Sequence, residues 1–224
     1  MSMTMFWDIL PQLTSAYERG LLVPFLGSGM SIGTCPDWKH MVERLETDAA
    51  IDGDPVGNSP EDLIRRANLA VRTLRNRKPD QLARTLRKVL GKTGSMPPAQ
   101  TVALATRYWP LALTTNYDDC YATAFAATHA NVREPIEIMG RSPSDCHRIL
   151  TSLTSPSGPL LWALQGYLES PCHNRRGHLH RLSDEVVVGH EEYSKVTHRE
   201  AHFRRAFAEV FRQRSLMFVG SGLA

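Results

Sequence analysis

The stretch Leu111-Ala112-Leu113-Thr114-Thr115-Asn116-Tyr117-Asp118-Asp119 constrains the fold most, because a short apolar run ends abruptly in small polar residues, an amide and two carboxylates. Such a run reads as a buried strand delivering polar groups to its carboxyl end, where open α/β sheets place their ligands. A second, glycine-rich strand end, Val23-Pro24-Phe25-Leu26-Gly27-Ser28-Gly29-Met30-Ser31, lies far upstream. Two tips of this kind can face one nucleotide.

The rest of the chain alternates in the same style. Residues 6–19 predict a helix with Phe6, Ile9, Leu10, Leu13 and Tyr17 on one face, followed by a strand at 21–27. A helix after Pro36 turns Trp38, Met41, Val42 and Leu45 inward. Ser59-Pro60-Glu61-Asp62 is a helix start, with a cap, a proline in the first turn and acids against the dipole. Leu63, Ala67, Ala70 and Leu74 continue it, and a further helix from about Pro79 carries Leu82, Leu86 and Val89. Helices at 98–108 and 117–128 flank a strand at 109–115. Further strands are expected at 135–139, 159–164, 185–188 and 215–220, with 191–213 mostly helical. This alternation predicts a Rossmann-like, doubly wound α/β fold with a parallel sheet covered on both faces. Residues 1–224 read as one domain with a helical insertion at 54–97. The glycine turn after the last strand should lead into another element, so the chain reads as a domain cut from a longer polypeptide.

Composition narrows the function classes. With 42% hydrophobic and 22% charged residues and a net charge of +3, nothing demands a polyanionic partner. The basic excess is local: Arg65 to Lys92 holds ten Arg/Lys against the single acid Asp80. Those charges fall between the apolar positions, as on an exposed helix face, and no aromatic residue there offers a stacking platform for single-stranded nucleic acid. The four cysteines, Cys35, Cys120, Cys146 and Cys172, form no Cys-x-x-Cys pair, which excludes a four-cysteine zinc ribbon. Cys172-His173 with His178 and His180 fits no common zinc spacing, and Arg175, Arg176 and Arg181 would repel a cation. No metal is expected. With no secretory signal or apolar run of spanning length, a cytoplasmic protein with reduced thiols and no membrane contact is expected.

Gly27-Ser28-Gly29 permits a tight turn and close approach of backbone N–H groups to a pyrophosphate, with the next helix presenting its positive end. A plain strand-to-helix turn is the simpler alternative. The hydride-transfer fingerprint is not met: the third glycine is displaced to Gly33, and Asp48 and Asp52 do not end a second strand. No Gly-Lys-Ser/Thr follows, so a P-loop is absent as well.

With these motifs placed, the chain resembles the SIR2-like (sirtuin-type) NAD-binding domains, in the bacterial branch found in antiphage defence. Gly27-Ser28-Gly29-Met30-Ser31 resembles that family's Gly-Ala-Gly-x-Ser loop, and Gly33-Thr34-Cys35-Pro36-Asp37-Trp38 its Gly-x-Pro-x-Trp segment. Thr114-Thr115-Asn116-Tyr117-Asp118 matches the Thr-Thr-Asn-Tyr-Asp signature, and Val219-Gly220-Ser221-Gly222-Leu223 is similar to the late Gly-(Thr/Tyr)-Ser-Leu turn. Glu185-Val186-Val187-Val188 with Glu192-Tyr193 resembles the strand and Asp-Tyr segment before the last helices.

The resemblance implies NAD+ as substrate or ligand and no metal. Asn116 would sit near the nicotinamide ribose and a reacting water, and Asp118 would hold the loop or nicotinamide pocket. Ser28, Ser31 and Ser221 would bond phosphates or ribose, with Gly27, Gly29, Trp38, Thr115 and Gly220 completing the cofactor-lining set. The implied activity is NAD+ hydrolysis to nicotinamide and ADP-ribose. Without a zinc ribbon, protein deacylation falls behind it. Where the family carries a His-Gly pair, this chain has Gln165-Gly166, and an amide takes no proton near neutral pH. An inactivating change, a silent NAD+ or ADP-ribose binding module, and hydrolysis resting on Asn116 and water all remain open. His147 or a histidine of 173–180 is the alternative base. Asn116 also suits a helix cap, Asp118 and Asp119 first-turn acids, Trp38 core packing and Ser221 an ordinary turn. Gating by a homo-oligomer or a partner or sensor protein is expected through the helical insertion or a C-terminal region. Nucleic acid enters only indirectly, through docking by the basic helices.

Overall fold

Five strands, β1 (Leu22–Leu26), β2 (Leu111–Thr114), β3 (Glu137–Met139), β4 (Leu160–Ala163) and β5 (Ser215–Val219), form one sheet in the order β3-β4-β2-β1-β5. Every pairing is parallel. The computed structural model describes residues 3–51, 57–78, 80–90, 96–131, 135–168 and 182–221.

Period-two alternation along the strands divides the core. Leu111, Leu113, Leu160 and Trp162 face one layer, where they meet Ile149 and Leu153 of α7 (Pro143–Thr154), Val196 of α8 (His190–Arg199) and Phe203, Ala206 and Val210 of α9 (Ala201–Gln213). Ala112, Leu161 and Ala163 face the other, against α1 (Met3–Glu18), α5 (Ala99–Ala105) and α6 (Cys120–Thr128). Burial on both faces explains why the strands read as continuous apolar runs. The Rossmann-like α/β expectation holds.

A third cluster forms beside the sheet from α2 (Trp38–Ala49), α3 (Pro60–Arg77) and α4 (Gln81–Val89). The start of α3 is a full capping box: the Ser59 hydroxyl accepts from the Asp62 amide, and the Asp62 carboxylate accepts from the Ser59 amide. The basic stretch is mostly an exposed face, with Arg66 and Arg75 as exceptions. Arg66 is buried and donates from Nε and Nη2 to the two Glu46 oxygens, each at 2.7 Å. Arg77 donates to the Ala49 carbonyl at the end of α2, and Arg75 to the Val186 carbonyl, both at 2.6 Å. Arg66 thus joins two helices from a buried position, Arg75 is half-buried, and Arg77 stays exposed while tying down the end of α2.

Three further differences from the sequence reading have local causes. Residues 185–188 are not a strand. A 3-10 turn covers Leu182–Glu185, and Val186 and Val188 run buried into the α2–α4 cluster. Their polar backbone atoms bond elsewhere: the Val187 amide donates to the Gln165 carbonyl at 2.9 Å. α6 begins at Cys120 rather than 117, because the preceding residues are held by side-chain bonds described below. α7 was not foreseen, although Ser142-Pro143 with Asp145 repeats the start signal of α3. Among the described residues, no helix is long and apolar enough to cross a membrane.

Candidate functional site

Strand register brings four tips into a row. Leu26 pairs with Thr114 and with Val219, and Thr114 pairs with Ala163. The next residues continue the pairing: the Thr115 amide donates to the Leu26 carbonyl at 3.1 Å, Gly27 to Val219 at 3.0 Å and Leu164 to Thr114 at 2.9 Å. Gln165, Asn116, Gly27 and Gly220 therefore leave the sheet side by side, at the crevice outside the carboxyl ends where open α/β sheets bind ligands.

A cleft of about 330 Å3 opens there. Gly27, Ser28 and Ser31 line it from the first loop, Thr115, Asn116 and Asp118 from the second, Gln165 from the third and Ser221 from the fourth. Trp38, 37% exposed, lies on its wall with Met41 and Leu90, so it is not a core residue. Cys35, Pro36 and Tyr117 line the cleft too and were missed as site residues. Gly29 and Gly220 stand behind the lining rather than in it.

The glycines answer to loop packing. A Cβ on Gly27 would lie 2.6 Å from the Gly220 oxygen and from Ser221 Cα, and one on Gly29 would lie 2.8 Å from Gly220. Gly220 itself has φ +64°, and a Cβ there would meet the Met30 nitrogen at 2.6 Å. The amides of Gly27, Gly29 and Met30 already donate to Val219, Gly220 and Gly27. The following element is a 3-10 turn, Ser28–Ser31, and the next full helix starts only at Trp38. The expected cradle of these N–H groups at a helix N-terminus is thus not formed. What the turn does present to the cleft is hydroxyls, Ser28 and Ser31, with Ser221 opposite.

Asn116 is the hinge of the arrangement. Its Nδ2 donates to the Gly27 carbonyl at 3.0 Å and to Ser31 Oγ at 3.1 Å. Ser31 Oγ in turn donates to Asp118 Oδ2 at 2.7 Å, and Asp118 Oδ1 accepts from the Cys120 amide at 3.0 Å. Asn116 does not cap α6; Asp118 combines the start of that helix with the Ser31 bond. Both amide protons of Asn116 are engaged, which leaves Oδ1 as its acceptor for a water or hydroxyl. Asp119 is buried at the head of α6, away from the lining.

Gln165 is seated by two features. Gly166 has φ +86°, and a Cβ there would lie 2.5 Å from the Val186 nitrogen, so the glycine of the Gln-Gly pair is required by the backbone. The Tyr117 hydroxyl donates to the Val187 carbonyl at 2.6 Å and lies 3.2 Å from Gln165 Oε1. Gln165 thus turns its carbonyl oxygen towards that hydroxyl. Burial raises the Tyr117 phenol well above its ordinary range, which keeps it a neutral donor. Arg141, also missed, is buried below and donates to the Leu164 carbonyl at 3.0 Å and the Glu185 carbonyl at 2.7 Å. It clamps both segments that meet at Gln165.

Among the described residues, neither histidine nor Lys or Arg lines the cleft, and Asp118 is its carboxylate. His147 is exposed on α7 and outside the lining, so it does not replace Gln165. Cys172, His173, His178, His180 and the rest of 173–180, like Gly222 and Leu223, lie outside the described residues. Cys35 and Cys120, far apart in sequence, come together with Asp118: their donor atoms lie within 4.8 Å of one another. Spacing along the chain could not reveal that group.

Residues 110–224 match the SIR2-like domain family. The Gly27–Ser31 and Cys35–Trp38 segments precede that range. A comparison with curated proteins finds no match.

Proposed function

The chain belongs to the SIR2-like domain family, whose domains are NAD-related, and from that premise we propose that it hydrolyses NAD+ to nicotinamide and ADP-ribose. The observation that carries the reading is the Asn116 amide joining the Gly27 loop to Ser31 and, through it, to Asp118 at the mouth of one cleft.

The chemistry suits these groups. Cleavage of the nicotinamide–ribose bond sends the bonding pair to the ring nitrogen, so nicotinamide leaves neutral and positive charge develops at the ribose carbon. A half-buried carboxylate with no cation among its described neighbours in the lining favours that charge. Asn116 Oδ1 orients a water, whose oxygen bonds to the ribose carbon and whose proton passes to solvent or to Asp118, with the Gln165 amide beside it in the lining. Because the electrophile is already cationic, an amide at 165 slows the reaction rather than forbidding it. Ser28 and Ser221 supply hydroxyls for the phosphates and ribose, Ser31 holds Asp118 in place, and Trp38 gives an aromatic wall. The reading as an antiphage effector, gated by oligomerisation or a partner, rests on the resemblance of the motifs.

Incubation with NAD+ and chromatographic detection of nicotinamide tests the proposal. Stoichiometric release of nicotinamide and ADP-ribose is expected, lost in Asn116→Ala. Binding without release would instead mark a silent NAD+ module, and neither would remove the reading.

A further inference from the structure

We propose that Cys35, Cys120 and Asp118 form a binding site for a zinc-class divalent cation in the wall of the cleft. The two sulfurs and a carboxylate oxygen lie within 4.8 Å of one another. Around tetrahedral zinc, with Zn–S near 2.3 Å and Zn–O near 2.0–2.2 Å, such donors sit roughly 3.5–3.8 Å apart. Closing these separations by up to about 1 Å would bring the three donors to coordinating geometry.

Hydrogen bonds tie all three residues together. Cys35 donates its amide to the Ser31 carbonyl at 2.9 Å, and Cys120 donates its amide to Asp118 at 3.0 Å. Ser31 also donates its hydroxyl to Asp118, so one residue anchors both sides of the group. Cys120 is buried, while Cys35 and Asp118 reach the cleft. A bound ion would thus have a protein-facing side closed by three ligands and a fourth position open to the cleft.

The donor set selects the cation. Two thiolates exclude magnesium and calcium, which take oxygen ligands, and suit zinc or cobalt. A disulfide would use the two sulfurs and leave the carboxylate idle, whereas a cation engages all three. Each thiol releases its proton to solvent on binding, so affinity rises with pH. A bound cation would occupy the Asp118 carboxylate that the proposed hydrolysis uses, so the metal-loaded and hydrolytic forms are exclusive; the test of the site needs no nucleotide and stands apart from turnover.

Titration of the reduced full chain with Co2+ provides the readout. One cobalt per chain is expected, with the intense thiolate-to-cobalt charge-transfer absorbance and displacement by Zn2+. Cys35→Ala, at the more exposed position, and Asp118→Asn should each weaken binding at least tenfold and change the spectrum. Cys120→Ser should abolish the band, with circular dichroism confirming that each variant is folded. Absence of the charge-transfer band, binding unchanged in Cys35→Ala, or recovery of a Cys35–Cys120 disulfide that binds no metal under reducing conditions would each overturn the proposal.

Discussion

The side-chain amide of Asn116 donates to the Gly27 carbonyl at 3.0 Å, joining two strand tips that lie far apart in the chain. Both sides of this bond border one cleft, and Ser31 and Asp118 continue it. The amide thus has a fixed orientation, set before any ligand arrives. Asn116→Ala should lower nicotinamide release by about 10²–10³-fold, the usual cost of removing one preorganised polar group. Asn116→Asp, which keeps the shape but places an anion beside the Gly27 carbonyl, should lose both activity and thermal stability. Melting curves beside the rate assay separate the two effects.

Gln165→His tests the missing base. The substitution should raise kcat by about 10²-fold, the lower end of what a placed general base contributes, and create a rising limb in the pH profile near an imidazole pKa of about 6.5. An unchanged rate and a flat profile would show that proton removal does not limit the reaction.

Gly220→Ala tests whether loop packing, rather than a ligand, dictates the glycines. Its Cβ would lie 2.6 Å from the Met30 nitrogen at φ +64°. Denaturation should report a loss of about 1–3 kcal/mol, the usual cost of a strained backbone position. Gly33→Ala should behave differently: at φ +91° it is also strained, but nothing lies within 4 Å of the added atom, so the loss should be smaller.

Stability should fall in alkaline solution. Burial pushes the Cys146 thiol from its ordinary 9.0 up to about 12, and raises the Tyr121 and Tyr167 phenols as well. Below pH 9 the Cys146 thiol is protonated in both folded and unfolded chains. Between 9 and 12 the unfolded chain releases that proton while the folded one keeps it, so unfolding is favoured as pH rises. Urea midpoints under reducing conditions should drop between pH 8 and 10.5, with a shallower drop in Cys146→Ala.

Much of this molecule was legible in its residues, and the exceptions are instructive. The tips of β1, β2 and β4 were readable because an apolar run that stops in glycine or small polar residues has few other structural uses. The valines of 186–188 misled because a buried extended connection asks for the same β-branched residues as a strand; only the hydrogen-bond partners differ. Arg66 looked like surface charge, since nothing local announces that Glu46 lies opposite. α7 was signalled by Ser142-Pro143 and went unrecognised. Tyr117, Arg141 and the meeting of Cys35 with Cys120 depend on long-range packing, which one sequence does not reveal.

Calorimetric titration of NAD+ into the chain and into Ser28→Trp tests the central claim most directly. Ser28 is exposed in the first loop and lines the cleft, so the indole should fill the space while the fold persists. The account predicts one NAD+ bound per chain and no detectable binding to the folded variant. NAD+ that fails to bind the unaltered chain, or that binds the filled variant equally well, would contradict it.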